Sequence, residues 1–258
     1  MWYSAPNITS KHGFSDRVGG FSDRVGGLSE GAYSQLNLSN NVGDQFERVE
    51  ANRVRALGAL GLGALSLARL RQVHSSEVVT LTRDSDLTRL PMADALVTRL
   101  RNVVLVIESA DCYPVLLEDR EAGVIAAAHC GWRGTAGRLL ERVLEAMLDA
   151  GAEIERIQVA FGPGICAERY VVGADVMVRF AQEGFPQHMY MTSGVGLSHS
   201  GIEQYFVDLA AANHWLLEQG GVLPEQIWAM NRCSTEADFF SHRRDHGTTG
   251  RMWSVIAQ

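Results

Sequence analysis

Apolar runs at 115–117 and 124–127 flank the polar stretch 118–123, a spacing that predicts a β-hairpin with a six-residue loop closed by Gly123. In the register that pairs Leu117 with Val124, Cys112 stands opposite His129. Directly opposed antiparallel residues hold their Cβ atoms about 4.5–5.5 Å apart, close enough for two side chains to share one metal ion or one proton. A slip of one residue would send the two to opposite faces. The turn Gly131-Trp132-Arg133-Gly134 follows the second strand, and two glycines, an indole and a guanidinium there suit a pocket wall.

The pattern elsewhere predicts a covered sheet with helices against it. Residues 95–98 and 103–107 are continuous apolar strands of the kind buried on both faces. Strands are also expected at 67–73, 78–81, 157–161 and 227–230, with His74 at the end of the first. Asp44-Gln45-Phe46-Glu47 predicts a capped helix start, with Phe46, Val49, Leu57 and Leu60 facing inward and glycines 61 and 63 ending it. Leu139, Leu140, Val143, Leu144, Met147 and Leu148 form the stripe of an amphipathic helix. A further helix is expected over 208–219 and an exposed loop over 192–201.

A chain of 258 residues, 46% hydrophobic, fits one large globular domain or two small ones, with ample core. Its net charge of −7 argues against nucleic acid as a partner, which calls for a basic face. Anionic substrates would need local arginines. No apolar run is long enough to cross a membrane, and the first residues lack a signal-peptide pattern, so the expected location is cytoplasmic. Cys112, Cys130, Cys166 and Cys233 form no C-x-x-C pair and are expected as free thiols. The heptapeptide at 14–20 recurs unchanged at 21–27, which makes Arg17 and Arg24 rivals for one functional position.

His74, Cys112 and His129 together would offer two imidazoles and a thiolate, a donor set for Zn2+ that leaves a fourth position open for water or substrate. Without metal, the same trio is a Cys–His pair for nucleophilic or acid–base work. The zinc-deaminase signature H-x-E with P-C-x-x-C is absent. Residues 238–251 concentrate arginines and hydroxyls in an acidic chain, and fork-shaped donors of this kind can bind phosphate or a sugar hydroxyl.

Five separated motifs, Gln72-Val73-His74, Ala110-Asp111-Cys112-Tyr113-Pro114-Val115, His129-Cys130-Gly131-Trp132-Arg133-Gly134, Gly162-Pro163-Gly164-Ile165 and Phe239-Phe240-Ser241-His242-Arg243-Arg244, resemble those of the YfiH family, also known as the laccase-domain family. The resemblance implies a single domain spanning 1–258 with an α+β fold of four layers, α/β/β/α, with mixed sheets. It implies a Zn2+ or Cu2+ site at His74, Cys112 and His129. The activity it implies is purine nucleoside chemistry: phosphorolysis of adenosine, inosine, guanosine and methylthioadenosine, and deamination of adenosine. Nucleosides and phosphate are then the small-molecule partners.

On that basis Cys112, His74, His129 and Arg133 are the candidate catalytic residues. Arg17 or Arg24, Arg71 and Arg243 are candidate phosphate or substrate ligands, and Trp132 and Phe240 candidate platforms for the purine ring. Copper-dependent oxidation of phenols is the alternative activity, and a metal-binding protein with little turnover a third. Multicopper oxidases collect their ions with H-x-H pairs, whereas this chain has eight histidines and no such pair.

Overall fold

The computed structural model of the chain describes residues 1–19, 26–197 and 203–258. A six-stranded mixed sheet runs in the order Ile227–Ala229, Gln158–Phe161, Tyr113–Asp119, Val124–Cys130, Ala95–Thr98, Val78–Leu81. A five-stranded mixed sheet has the order Trp2–Tyr3, Lys11–Ser15, Met252–Ala257, Val103–Ser109, Ser66–Ala68. The strands at the centre of both sheets are apolar on both faces, and alternate residues feed different cores. Leu105 and Ile107 pack between the sheets against Leu96, Leu116, Ile125 and Ala127. Val104 and Val106 turn outward to Ala56 and Leu57 of the Phe46–Ala59 helix.

Across the six-stranded sheet, Val115, Leu117, Val124 and Ala126 face the helices Leu139–Asp149, Ala174–Gln182 and Leu209–Gln219. The layers are thus helix, sheet, sheet, helices, the α+β arrangement with mixed sheets that the resemblance implies. Each fully buried Leu, Val or Phe in these layers contributes about 1.5–3 kcal/mol.

Several expectations need correction. The hairpin pairs Asp119 with Val124 and Pro114 with His129, a shift of two residues from the expected register, and its loop has four residues rather than six. The cause is that Glu118 and Asp119, charged and so assigned to the loop, are buried strand residues. Asp119 accepts from the N–H groups of Glu121, Ala122 and Glu153 and pairs with Arg156. Glu118 accepts from Thr9 and Ser10. A shift of two, unlike a shift of one, keeps every side chain on its own face.

The first helix takes Gln45 as N-cap with no side-chain cap, and Phe46 is exposed because it precedes the turn that reaches the sheet. The strand expected over 67–73 is only Ser66–Ala68. Leu148 lies at the exposed edge of its helix. Part of the stretch expected as an exposed loop is the strand Met191–Leu197, which joins Glu203–Val207 and Val171–Val172 in a third sheet; residues 198–202 lie outside the described residues. Cys166 and Cys233, expected as free thiols, form a disulfide with their Cα atoms 5.1 Å apart, leaving Cys112 and Cys130 free. Among the described residues no helix is long and apolar enough to cross a membrane.

Candidate metal and substrate site

Where the inter-sheet core ends, its period-two pattern continues with reactive residues. On the five-stranded sheet the inward series Leu105, Ile107 is followed by Ser109; on the six-stranded sheet Ile125, Ala127 is followed by His129. Cys112 precedes the strand Tyr113–Asp119 with the parity of Pro114 and Leu116. These residues border a cavity of about 860 Å3 that also has His74, Trp132, Arg133, Tyr170 and Arg251 in its walls. The ligand atoms of His74, Cys112 and His129 all lie within 4.8 Å of one another.

One carboxylate organises both histidines. Asp94, fully buried just before the strand Ala95–Thr98, accepts from the backbone N–H groups of Val73 (3.2 Å), His74 (3.0 Å) and Ser75 (2.6 Å) and from the Ser75 hydroxyl (2.9 Å). These bonds hold His74 in a left-handed conformation with φ 58°, which costs a residue with a Cβ about 1–2 kcal/mol. The same carboxylate lies 2.9 Å from His129 Nδ1. Burial opposes the charge on Asp94, but the hydrogen bond from His129 and those from Ser75 outweigh it and bring its pKa down to about 2. An ionised Asp94 can only accept, so Nδ1 carries a proton and Nε2 is the atom of His129 free for the cavity.

Gln72 braces the same segment. Its Nε2 donates to Glu108 O at 2.8 Å and its Oε1 accepts from Glu108 N at 2.8 Å, replacing a strand partner.

Cys112 is placed by its neighbour. Asp111 has φ 92°, a strained conformation sustained by four hydrogen bonds. Its carboxylate accepts from the hydroxyls of Ser234 and Ser241 and from Arg243 N, each at 2.6 Å, and its carbonyl accepts from Ile165 N at 2.8 Å. The Gly162–Ile165 motif and the Ser241–Arg243 motif therefore meet behind the cysteine. Gly131 meets it in front: a Cβ there would fall 2.7 Å from Cys112 Sγ and 3.1 Å from His74 Cδ2. Burial pushes the Cys112 thiol up, yet the charge of His129 and hydrogen bonds from His129 and His74 lower its pKa to about 6. Burial likewise disfavours a charged His129, but the Cys112 thiolate and Asp94 raise its pKa to about 9. The two shifts have the same cause, each charged group favouring the other, and both point toward a thiolate beside an imidazolium.

Tetrahedral Zn2+ with bonds of about 2.0–2.3 Å places its ligand atoms roughly 3.5 Å apart, so small side-chain rotations suffice to close this cluster on an ion. The donors fit, and the Asp94–His129 contact is the outer hydrogen bond that metal-binding histidines require. Among the described residues this is the one group of three or more His, Cys, Asp or Glu arranged to hold a metal.

Of the other candidates, Arg71, Trp132, Arg133 and Arg243 line the cavity. Arg133 stacks on Trp132 at 4.4 Å, and Arg243 lies over Tyr170 at 5.2 Å with Nη1 donating to Val171 O at 2.8 Å. Phe240 does not reach the cavity. It is fully buried with Phe239 and Met252, so its ring serves the core and cannot offer a face to a ligand. Arg17 is directed away too, donating to Ser34 O and stacking on Phe240 at 5.3 Å. Arg24 lies outside the described residues. Sequence reasoning missed Asp94, whose signal is an acid between two alanines at the start of a buried strand, and Arg251, which went unsingled among the arginines of 238–251.

Residues 18–258 match the family model described as multi-copper polyphenol oxidoreductase laccase, and the chain belongs to this laccase-like YfiH family. The chain is 46% identical over 252 residues to a protein of Deinococcus radiodurans named purine nucleoside phosphorylase, covering 98% of this chain and 90% of that one. It is 36% identical over 234 residues to an adenosine deaminase, RL5, of an unknown prokaryotic organism, covering 87% of each. Its structure superposes on that of YlmD from Geobacillus stearothermophilus with a TM-score of 0.84 at 32% identity, covering 98% of this chain and 94% of that chain. For the hypothetical protein YfiH of Bacillus licheniformis the TM-score is 0.84 at 27% identity, with 96% and 92% covered.

Proposed function

We propose that the chain is a purine nucleoside enzyme that cleaves nucleosides with phosphate and deaminates adenosine at the His74–Cys112–His129 site. The observation that carries this reading is one cavity that sets a low-pKa thiol and two imidazoles beside aromatic rings and four arginines. It has room for a nucleoside and an anion together. The names of the relatives at 46% and 36% identity support the same chemistry.

In phosphorolysis a phosphate oxygen forms a bond to the anomeric carbon while the carbon–nitrogen bond to the base breaks. The base leaves with that electron pair and must gain a proton or a strong hydrogen bond. Arginines hold the phosphate and offset its charge. Trp132 and Tyr170 give the purine a flat wall. His74 presents a ring nitrogen that holds or moves a proton at the purine edge, while His129, its Nδ1 fixed on Asp94, has only Nε2 to offer the ion or Cys112. A divalent ion held by His74, Cys112 and His129 would supply Lewis acidity for adding water at C6 in deamination. The acidic chain overall makes the arginines the local attraction for phosphate.

The test is incubation of the purified protein with adenosine, with and without phosphate, alongside Cys112→Ala. Adenine that appears only with phosphate, and inosine that appears in either case, both lost in the variant, support the proposal. Oxidation of a phenol that depends on added copper, with no purine product, would replace it with the oxidase reading, which the description of the matched family also supports. Metal uptake with no product in any assay would leave a binding protein.

A further inference from the structure

Among the described residues four arginines border the cavity, and they are not equivalent. Arg71, Arg133 and Arg243 are exposed at its rim, whereas Arg251 is half-buried in its wall, directly before the strand Met252–Ala257. Its Nη1 donates to two carbonyls, Thr249 O at 3.0 Å and Gly250 O at 2.9 Å. That double anchor fixes the plane of the guanidinium. Its Nε–Nη2 edge has no hydrogen-bond partner among the described residues, and this edge is the one that meets two oxygens of a phosphate side by side.

The acids near Arg251 are committed elsewhere. Glu108 Oε2 accepts from Ser39 Oγ at 2.6 Å, and Oε1 lies 3.5 Å from Arg53. Asp111 is saturated by Ser234, Ser241 and Arg243 N. Burial lowers the pKa of Arg251, and no ion pair compensates it among the described residues. A desolvated cation without a direct counter-ion is costly. It is the arrangement expected where a ligand brings the negative charge.

We propose that Arg251, through its Nε–Nη2 edge, forms the seat of the inorganic phosphate co-substrate, with exposed Arg71 at the entrance. The seat rests on the phosphorolysis reading for its role. Its existence as an oxyanion site is testable without turnover.

The experiment titrates inorganic phosphate into the purified protein by calorimetry at constant ionic strength and, separately, measures KM for phosphate and for nucleoside. Arg251→Lys keeps the charge and loses the fork, and is expected to weaken phosphate binding and raise its KM at least tenfold, with the nucleoside KM within about twofold. Arg251→Gln removes the charge as well, is checked for folding by urea unfolding, and is expected to weaken phosphate at least as much. Wild-type protein that binds no phosphate, or variants that bind it within twofold of wild type, overturn the seat. If phosphorolysis proceeds with an unchanged phosphate KM in both variants, the seat is wrong and the reading stands. If phosphate binds through Arg251 but no base is released, the seat stands and the reading falls.

Discussion

Replacing Asp94 by Asn tests how far one carboxylate holds the site together. A carboxyl whose pKa falls from 3.8 to about 2 has its charged form favoured by roughly 2.5 kcal/mol in the folded protein. Asn has the same shape, but its amide nitrogen must face donors. One carboxylate oxygen receives Val73 N, Ser75 N and Ser75 Oγ, the other His74 N and His129 Nδ1. Either orientation of the amide therefore strands at least one backbone N–H. The expected loss is about 3 kcal/mol at pH 7, read by urea unfolding of wild type and variant stripped of metal with EDTA.

The pH dependence carries the sign. A depressed carboxyl pKa stabilises the fold above its unfolded value near 3.8 and loses that stabilisation as pH falls toward 2. The gap between wild type and Asp94→Asn should thus be widest above pH 5 and about 1 kcal/mol narrower at pH 3. Zn2+ affinity, measured by competition with a chelating dye, should fall 10- to 100-fold. A gap that does not change with pH, together with Zn2+ affinity within twofold, would refute the role assigned to Asp94.

Gly131→Ala places a methyl against Cys112 Sγ and should weaken Zn2+ binding at least tenfold while costing only about 1–2 kcal/mol in the metal-free protein, checked by dye competition and urea unfolding. In metal-free protein, alkylation of Cys112 by iodoacetamide should rise with pH through a midpoint near 6 and be suppressed by Zn2+. Cys130, fully buried with its thiol pushed upward by that burial, should stay unmodified until the protein unfolds, as peptide mass mapping would show. Opening the Cys166–Cys233 disulfide, which spans 67 residues, by the double serine substitution should cost about 4 kcal/mol on a loop-entropy basis, measured by urea unfolding with and without dithiothreitol.

Elements with a local cause were legible in the sequence. The 103–107 run is apolar on both faces because both faces are covered, and the helix stripe from Leu139 to Met147 repeats at helical spacing because one side meets the sheet. What escaped was polarity buried by distant partners. Glu118 and Asp119 look like loop residues until Thr9, Ser10, Glu153 and Arg156 are brought to them from over thirty positions away. The disulfide is likewise a product of folding, since nothing in the spacing of Cys166 and Cys233 brings them together. Phe240 shows the opposite error: a motif can sit beside the cavity while its aromatic ring points into the core.

The hairpin was misaligned by two residues, yet the juxtaposition of Cys112 with His129 survived, and the reason is geometric. Strand side chains alternate with period two, so an even error moves a residue along its face without leaving it. Cys112 shares a face with Pro114 and Leu116, and His129 with Ala127 and Ile125, whichever register is assumed. The turn at Asp111, φ 92°, then supplies what the ladder does not, carrying Cys112 beyond the last strand pair at Tyr113 and Cys130. Register alone would put Cys112 opposite Gly131. With no side chain at that position, the sulfur can lie against the backbone and still reach His74 and His129, so the glycine between the motif's cysteine and tryptophan is as necessary to the cluster as its three ligands.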